Sequence, residues 1–184
     1  MVQKIISKII ELVRKAQELA LSIGIPNILQ PGLVKEMIIS EILGHELIAS
    51  KRDADARDRN NPEIKYEYLS CYEGGTGQLD RMFKAPTQKR LESLSRITRN
   101  KTIYLAIFYK KDPLKVKVIY EIQPSVLLKE AERQLDGSSN QISHVGFSEE
   151  WAKAHGKVIL QEQSLISKNF PPSSSGSTNP PLAD

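Results

Sequence analysis

Residues 53–84 read DADARDRNNPEIKYEYLSCYEGGTGQLDRMFK, and the fold turns on how this stretch is folded back on itself. Asn60-Asn61-Pro62 is a turn signal. Asp53, Asp55 and Asp58 precede it. The run Ile64-Lys65-Tyr66-Glu67-Tyr68-Leu69 follows it and is strand-like, rich in β-branched and aromatic residues. A hairpin folded about position 61 sets Asp55 opposite Glu67. Strand side chains alternate, so Lys65, Glu67 and Leu69 share one face. Asp55 and Glu67 then converge on one point. Two like charges so close are costly unless a cation or a proton lies between them. Paired carboxylates supply the hard oxygen ligands that Mg²⁺ takes alongside water and phosphate oxygens. Such an ion orients water and stabilises charge in phosphodiester hydrolysis. The competing reading is a solvated turn with scattered acids.

Directly downstream, EGGTGQLDRMFK (73–84) carries three glycines in four positions and reads as a glycine-rich loop. It is no phosphate-binding P-loop, because no GK[ST] follows. The glycines suit a sharp turn or a close backbone approach. Thr76, Gln78, Asp80 and Arg81 are short-range donors and acceptors, and Gln and Arg side chains pair in bidentate fashion with adenine and guanine edges. From Thr76 to Lys111 there are nine basic residues against two acidic ones, a local excess of seven charges. A patch of this kind suits phosphate contacts, although a charge run is also what an ordinary solvated face looks like.

Upstream, the apolar spacing from Ile5 to Ile23 predicts an amphipathic helix over 3–23, stopped by Gly24. Its broad apolar face is read first as core packing and second as a subunit surface. Pro26 and Pro31-Gly32 break the chain, and LVKEMIISEIL (33–43) predicts a second helix ending at Gly44. His45 is read as a cap or surface residue, not a catalyst. Downstream, the pattern predicts a helix over 87–97, a core strand over 102–109, an alternating strand over 115–122 and a helix over 125–135. Ser125 is the candidate cap of that helix and Gly137 its stop. Residues 137–150 read as polar loop. Residues 148–155 follow as a short helix capped by Ser148, then a last strand over 157–160. From Ser167 the chain is rich in Pro, Ser, Gly and Asn and is expected to be disordered. Helices, then a mixed or antiparallel sheet, then helix make an α/β or α+β domain, with a mixed central sheet flanked by helices.

Composition bounds the classes. The chain has 184 residues, 40% of them apolar, enough for one domain with a core. A net charge of +4 is too modest to prove a nucleic-acid partner by itself. The single cysteine, Cys71, excludes an internal disulfide. Three histidines without metal-ligand spacing argue against zinc. No apolar run approaches the ~20 residues that span a bilayer. The N-terminus lacks a signal-peptide core. A reducing, cytoplasmic setting is the expectation.

Three features give the chain a resemblance to the type II restriction endonucleases of the PD-(D/E)xK nuclease superfamily. ELALSIGIPNILQ (18–30) resembles a helix end and the loop after it. Asp55-Ala56-Arg57-Asp58 resembles the strand that holds the metal-binding aspartate, and Tyr66-Glu67-Tyr68-Leu69-Ser70 stands where the family's glutamate follows the turn. The strand pair and helix start of residues 103–124 extend the likeness, which covers roughly residues 10–135. The resemblance implies a restriction-endonuclease-like fold, a single nuclease domain over 1–166 and a helical dimerisation region over about 1–45. It implies Mg²⁺ held by Asp55 and Glu67, a double-stranded DNA substrate and a homodimer on a two-fold site. It also implies that Thr76, Gln78, Asp80 and Arg81 face the major groove, with Lys84 beside them.

One position departs from the family. Its catalytic lysine lies two residues after the glutamate, and here Leu69 stands there. Lys65, on the same strand face, is one substitute. A second register would use Asp53, Glu63 and Lys65, and a third option takes Lys84 or the metal alone. The departure keeps two alternatives open: a nuclease-fold protein that binds DNA without cutting it, and a structure-selective repair nuclease.

Overall fold

The computed structural model describes residues 2–49 and 53–161. Among these the chain forms α1 (Val2–Ser22), α2 (Leu33–Leu43), β1 (Glu46–Leu47), β2 (Ala56–Arg57), β3 (Lys65–Tyr72), β4 (Thr76–Phe83), α3 (Thr87–Thr98), β5 (Thr102–Phe108), β6 (Val116–Ile122), α4 (Pro124–Gly137), β7 (Ile142–Ser148), α5 (Glu149–His155) and β8 (Lys157–Gln161). Six strands build a central sheet in the order β1-β2-β3-β5-β6-β8, and β4 pairs with β7 in a separate two-stranded ribbon. β3 and β5 run parallel, and every other pairing is antiparallel. A parallel pair needs a crossover, and residues 73–101 supply it through β4 and α3. The mixed α/β class read from the sequence is therefore the observed one. The tail expected to be disordered from Ser167 lies outside the described residues. No described helix is long and apolar enough to cross a membrane.

All seven residues of β5 are buried, as a strand covered on both faces requires. Side-chain parity divides the core. Leu69, Ile103, Leu105 and Ile107 point to the face covered by α3, α4 and the ribbon. Tyr66, Tyr68, Tyr104 and Phe108 point to the face covered by Ile39 of α2. Fully burying a side chain such as Phe108 or Ile39 stabilises the fold by ~1.5–3 kcal/mol.

The hairpin about position 61 is observed. Ala56 pairs with Tyr66 and Arg57 with Lys65. The Asp58 carboxylate accepts the Asn60 and Asn61 N–H groups at 2.8 and 2.9 Å, which fixes the turn. Two expectations are corrected. Residues 73–84 are not a loop, because they carry strand β4. Residues 137–150 are not all loop, because they carry β7. β4 buries Gly77, Leu79 and Met82, and its alternation slips by one between Leu79 and Met82, where Arg81 adopts φ 54°. That bulge breaks the period-2 signal from which a strand is read.

Gly77 is required by close approach. A Cβ there would lie 2.5 Å from Leu105 Cδ1 and 3.0 Å from Leu69 Cβ, so β4 crosses the central sheet only without a side chain. Gly77→Ala is expected to destabilise the fold by ~1–3 kcal/mol through overpacking. A lowered urea midpoint with unchanged slope reads this out; an unshifted midpoint contradicts it.

Smaller differences have local causes. α4 begins at Pro124 after Gln123, with no side-chain cap, so Ser125 lies inside the first turn instead of capping it. Ser148 does cap α5, accepting the Trp151 N–H at 3.2 Å. His45 closes α2 by donating its N–H to the Ser40 carbonyl at 2.9 Å. Its ring is not a surface group. It stacks on Tyr66 at 3.9 Å between centroids, and Nδ1 lies 2.8 Å from the Tyr68 hydroxyl. Burial holds its pKa below the usual histidine value. α1 forms as expected but is hardly covered: Ala20 is its one buried residue, and Val13 to Leu19 span 39% to 71% exposure among its large apolar side chains. Core packing, the first expectation for that face, is confined among the described residues to its C-terminal end, where Ala20 clusters with Ile25 and Leu33.

Candidate active site

Beside the middle of β3, from Glu67 to Ser70, lies a cleft of about 920 Å³. Its floor carries Asp55 and Glu67, one wall is α3 and the other is β4. Continuing the β2–β3 register by one residue sets Asp55 across from Glu67, as the hairpin reading requires. The Asp55 carboxylate accepts the Tyr68 N–H at 2.8 Å, which aims it along the strand.

Glu67 is 8% exposed, and its Oε2 is buried without a hydrogen-bond partner. The Arg99 guanidinium stands 3.8 Å from that oxygen, an ion pair too long for a hydrogen bond. Burial first, and the Asp55 charge second, push the Glu67 carboxyl up to about 8, against the opposing pull of Arg99 and Arg96. A buried acid with an orphaned oxygen beside a second carboxylate is a site for a cation or a proton. Among the described residues no group of three or more His, Cys, Asp or Glu side chains is arranged to hold a metal ion. The pair fits Mg²⁺ nonetheless, since that ion binds through one or two carboxylates and fills its octahedron with water and phosphate oxygens.

The other expected site residues divide. Gln78, Asp80 and Arg81 line the cleft, whereas Thr76 does not. Lys65 also stays outside it. Its Nζ donates to both Asp53 oxygens, at 2.9 and 2.7 Å, and that bond is the main reason the Asp53 carboxyl sits below its ordinary range. Lys84 points elsewhere as well, donating to the Asp136 and Ser138 carbonyls at 3.2 and 2.6 Å at the end of α4. Glu63, needed for the alternative register, is exposed on the turn and outside the cleft. Leu69 is 3% exposed and packed in the core cluster, so the position of the family's lysine is filled by packing.

Several cleft residues were counted only as part of a charge patch. Lys89, Glu92 and Arg96 of α3 and its C-cap Arg99 line the cleft. Their spacing of three, four and three residues puts them on one helical face, a signal the sequence carries openly. Arg96 donates to the Asp80 carbonyl at 2.8 Å and so braces the β4 bulge. His144, on β7, lies 2.7 Å from the Asp80 carboxylate through Nδ1. Glu36 of α2 enters the same cleft. No protein-family model matches the chain, and no curated protein matches its sequence.

Proposed function

We propose that this chain is a Mg²⁺-dependent type II restriction endonuclease, similar to the PvuII restriction endonuclease, which hydrolyses phosphodiester bonds in double-stranded DNA at a short specific sequence. The observation that carries this reading is the convergence of Asp55 and the buried Glu67, whose Oε2 lacks a hydrogen-bond partner, in a cleft that Arg81, Lys89, Arg96 and Arg99 line together with Glu36, Asp80 and Glu92. Asp55 and Glu67 would hold the ion, which when bound supplies charge stabilisation and orients water. The cationic face of α3 binds the phosphate backbone. Gln78, Asp80 and Arg81, on the ribbon side of the cleft, offer donors and acceptors to base edges.

A two-fold site calls for a two-fold protein. The uncovered apolar stripe of α1 is the surface for a second copy, with Ile5 and Ile9 at 56% and 54% exposure. The wild type is expected to sediment as a dimer and the Ile5→Lys/Ile9→Lys variant as a monomer. A monomeric wild type removes this part of the proposal.

A second reading has its own support. Leu69 is buried and the Lys65 amine is ion-paired to the cleft-lining Asp53, so the strand presents no unpaired amine beside Glu67. A DNA-binding protein without cleavage fits those two facts. Incubating unmodified and methylated phage DNA with Mg²⁺ or with EDTA separates the readings. Discrete fragments that need Mg²⁺ support the nuclease. Intact DNA, bound with an affinity that falls with salt, supports the binder.

A further inference from the structure

We propose that Arg99 is the catalytic cation of this site, contacting the phosphate under attack in the place a strand lysine would otherwise serve. The inference rests on the nuclease reading above and identifies a residue that reading does not contain.

The argument is by position. Leu69 lies beneath Gly77, whose absent Cβ would come within 3.0 Å of the Leu69 Cβ, so the strand offers no route for a long cationic side chain there. Lys65 is ion-paired to Asp53, itself a cleft-lining residue, and Lys84 is held by two carbonyls outside the cleft. Arg96 lines the cleft with Nη1 anchored on the Asp80 carbonyl. Arg99 makes no side-chain hydrogen bond among the described residues. Its side chain is 31% exposed, and Nη2 lies 3.8 Å from the orphaned Glu67 oxygen. Its backbone closes α3, with the N–H donating to the Ser95 carbonyl at 3.0 Å, so the side chain leaves a fixed root.

The chemistry suits the position. Hydrolysis joins a water oxygen to phosphorus and breaks the bond to one sugar oxygen, which leaves with the electron pair. One water proton ends on that oxygen and the other passes from the new phosphate to solvent. Negative charge grows on the non-bridging oxygens along the way. A guanidinium is always charged and grips two oxygens at once, whereas an ammonium acts as a point charge. Aimed from a fixed helix end into a cleft, it stabilises that charge without reorganising.

The test compares Arg99→Ala and Arg99→Lys with the wild type, first in EDTA and then in Mg²⁺. In EDTA, the slope of log affinity for a cognate duplex against log salt is expected to fall by about one in Arg99→Ala and to be retained in Arg99→Lys. In Mg²⁺, single-turnover cleavage is expected to fall about 10²–10³-fold in Arg99→Ala and by less in Arg99→Lys. Thermal melting of both variants is expected to match the wild type, which checks that the fold persists. An unchanged salt slope, or cleavage within about threefold of wild type in Arg99→Ala, overturns the assignment while leaving the nuclease reading in place. A wild type that cuts nothing overturns both.

Discussion

Replacing Asp55 is expected to remove Mg²⁺-dependent DNA cleavage, lowering the single-turnover rate by about 10³-fold or more. Half of the carboxylate pair goes with it, and a lone Glu67 buried beside Arg99 lacks the second oxygen donor. The choice of variant matters, because Asp55 also accepts the Tyr68 N–H. Alanine leaves that donor without its partner, which costs ~1–3 kcal/mol of stability. Asparagine keeps an acceptor and removes the charge, so Asp55→Asn separates lost chemistry from lost folding. Asp53→Ala is the companion variant. It frees Lys65 and leaves both floor carboxylates in place, and it is expected to keep cutting. Cleavage retained in Asp55→Asn and abolished in Asp53→Ala would mean that the hairpin carries the other register.

The second large effect is on stability. In the metal-free protein the Glu67 carboxyl titrates near 8, well above the value it has in an unfolded chain. Between about 4.5 and 8 the folded state therefore holds a proton that the unfolded state has released. The sign follows: the contribution is fully present below the unfolded value and is lost as pH rises through the folded one. Within that window stability falls by at most ~1.4 kcal/mol per pH unit from this group. Glu67→Gln keeps the shape, carries no titrating proton and flattens the profile. Urea unfolding in EDTA at a series of pH values, taken as wild type minus variant, reads it directly. Added Mg²⁺ should stabilise the wild type most at the alkaline end, where the carboxyl it needs is already ionised. Parallel profiles for the two proteins would show that Glu67 titrates normally.

What the sequence disclosed, and what it hid, follows from the range of the forces involved. The hairpin register was legible because Asn60, Asn61 and Asp58 fix the turn through bonds spanning two or three residues. β5 was legible because an unbroken apolar run leaves few alternatives. The ribbon was not. β4 carries a bulge at Arg81, and β7 has only Val145 and Phe147 buried, so neither holds an alternation long enough to read. Their pairing joins residues from Phe83 with Ile142 to Thr76 with Ser148, far apart in the chain, and no local pattern announces that. Asp55 and Glu67 were found because a turn brings them together. Arg99 was missed as a site residue because a helix end, thirty residues later in the chain, delivers it. Lys65 was chosen by strand parity alone, which does not show that Asp53 captures it. The exposure of α1 could not be read either, since periodicity shows that a face is apolar without showing what covers it.

Arg96, in the last turn of α3, and Arg99, its C-cap, stand three residues apart, one bracing the β4 bulge and the other facing Glu67. A rigid helix moves both together. On the proposed reading, the part of the protein that feels the bases and the part that attacks the backbone are two ends of one short lever. A duplex that seats the ribbon badly drags Arg96 and withdraws Arg99 from the phosphate. Fidelity would then reside in the timing of assembly as much as in binding strength, and a wrong site could be held without being cut.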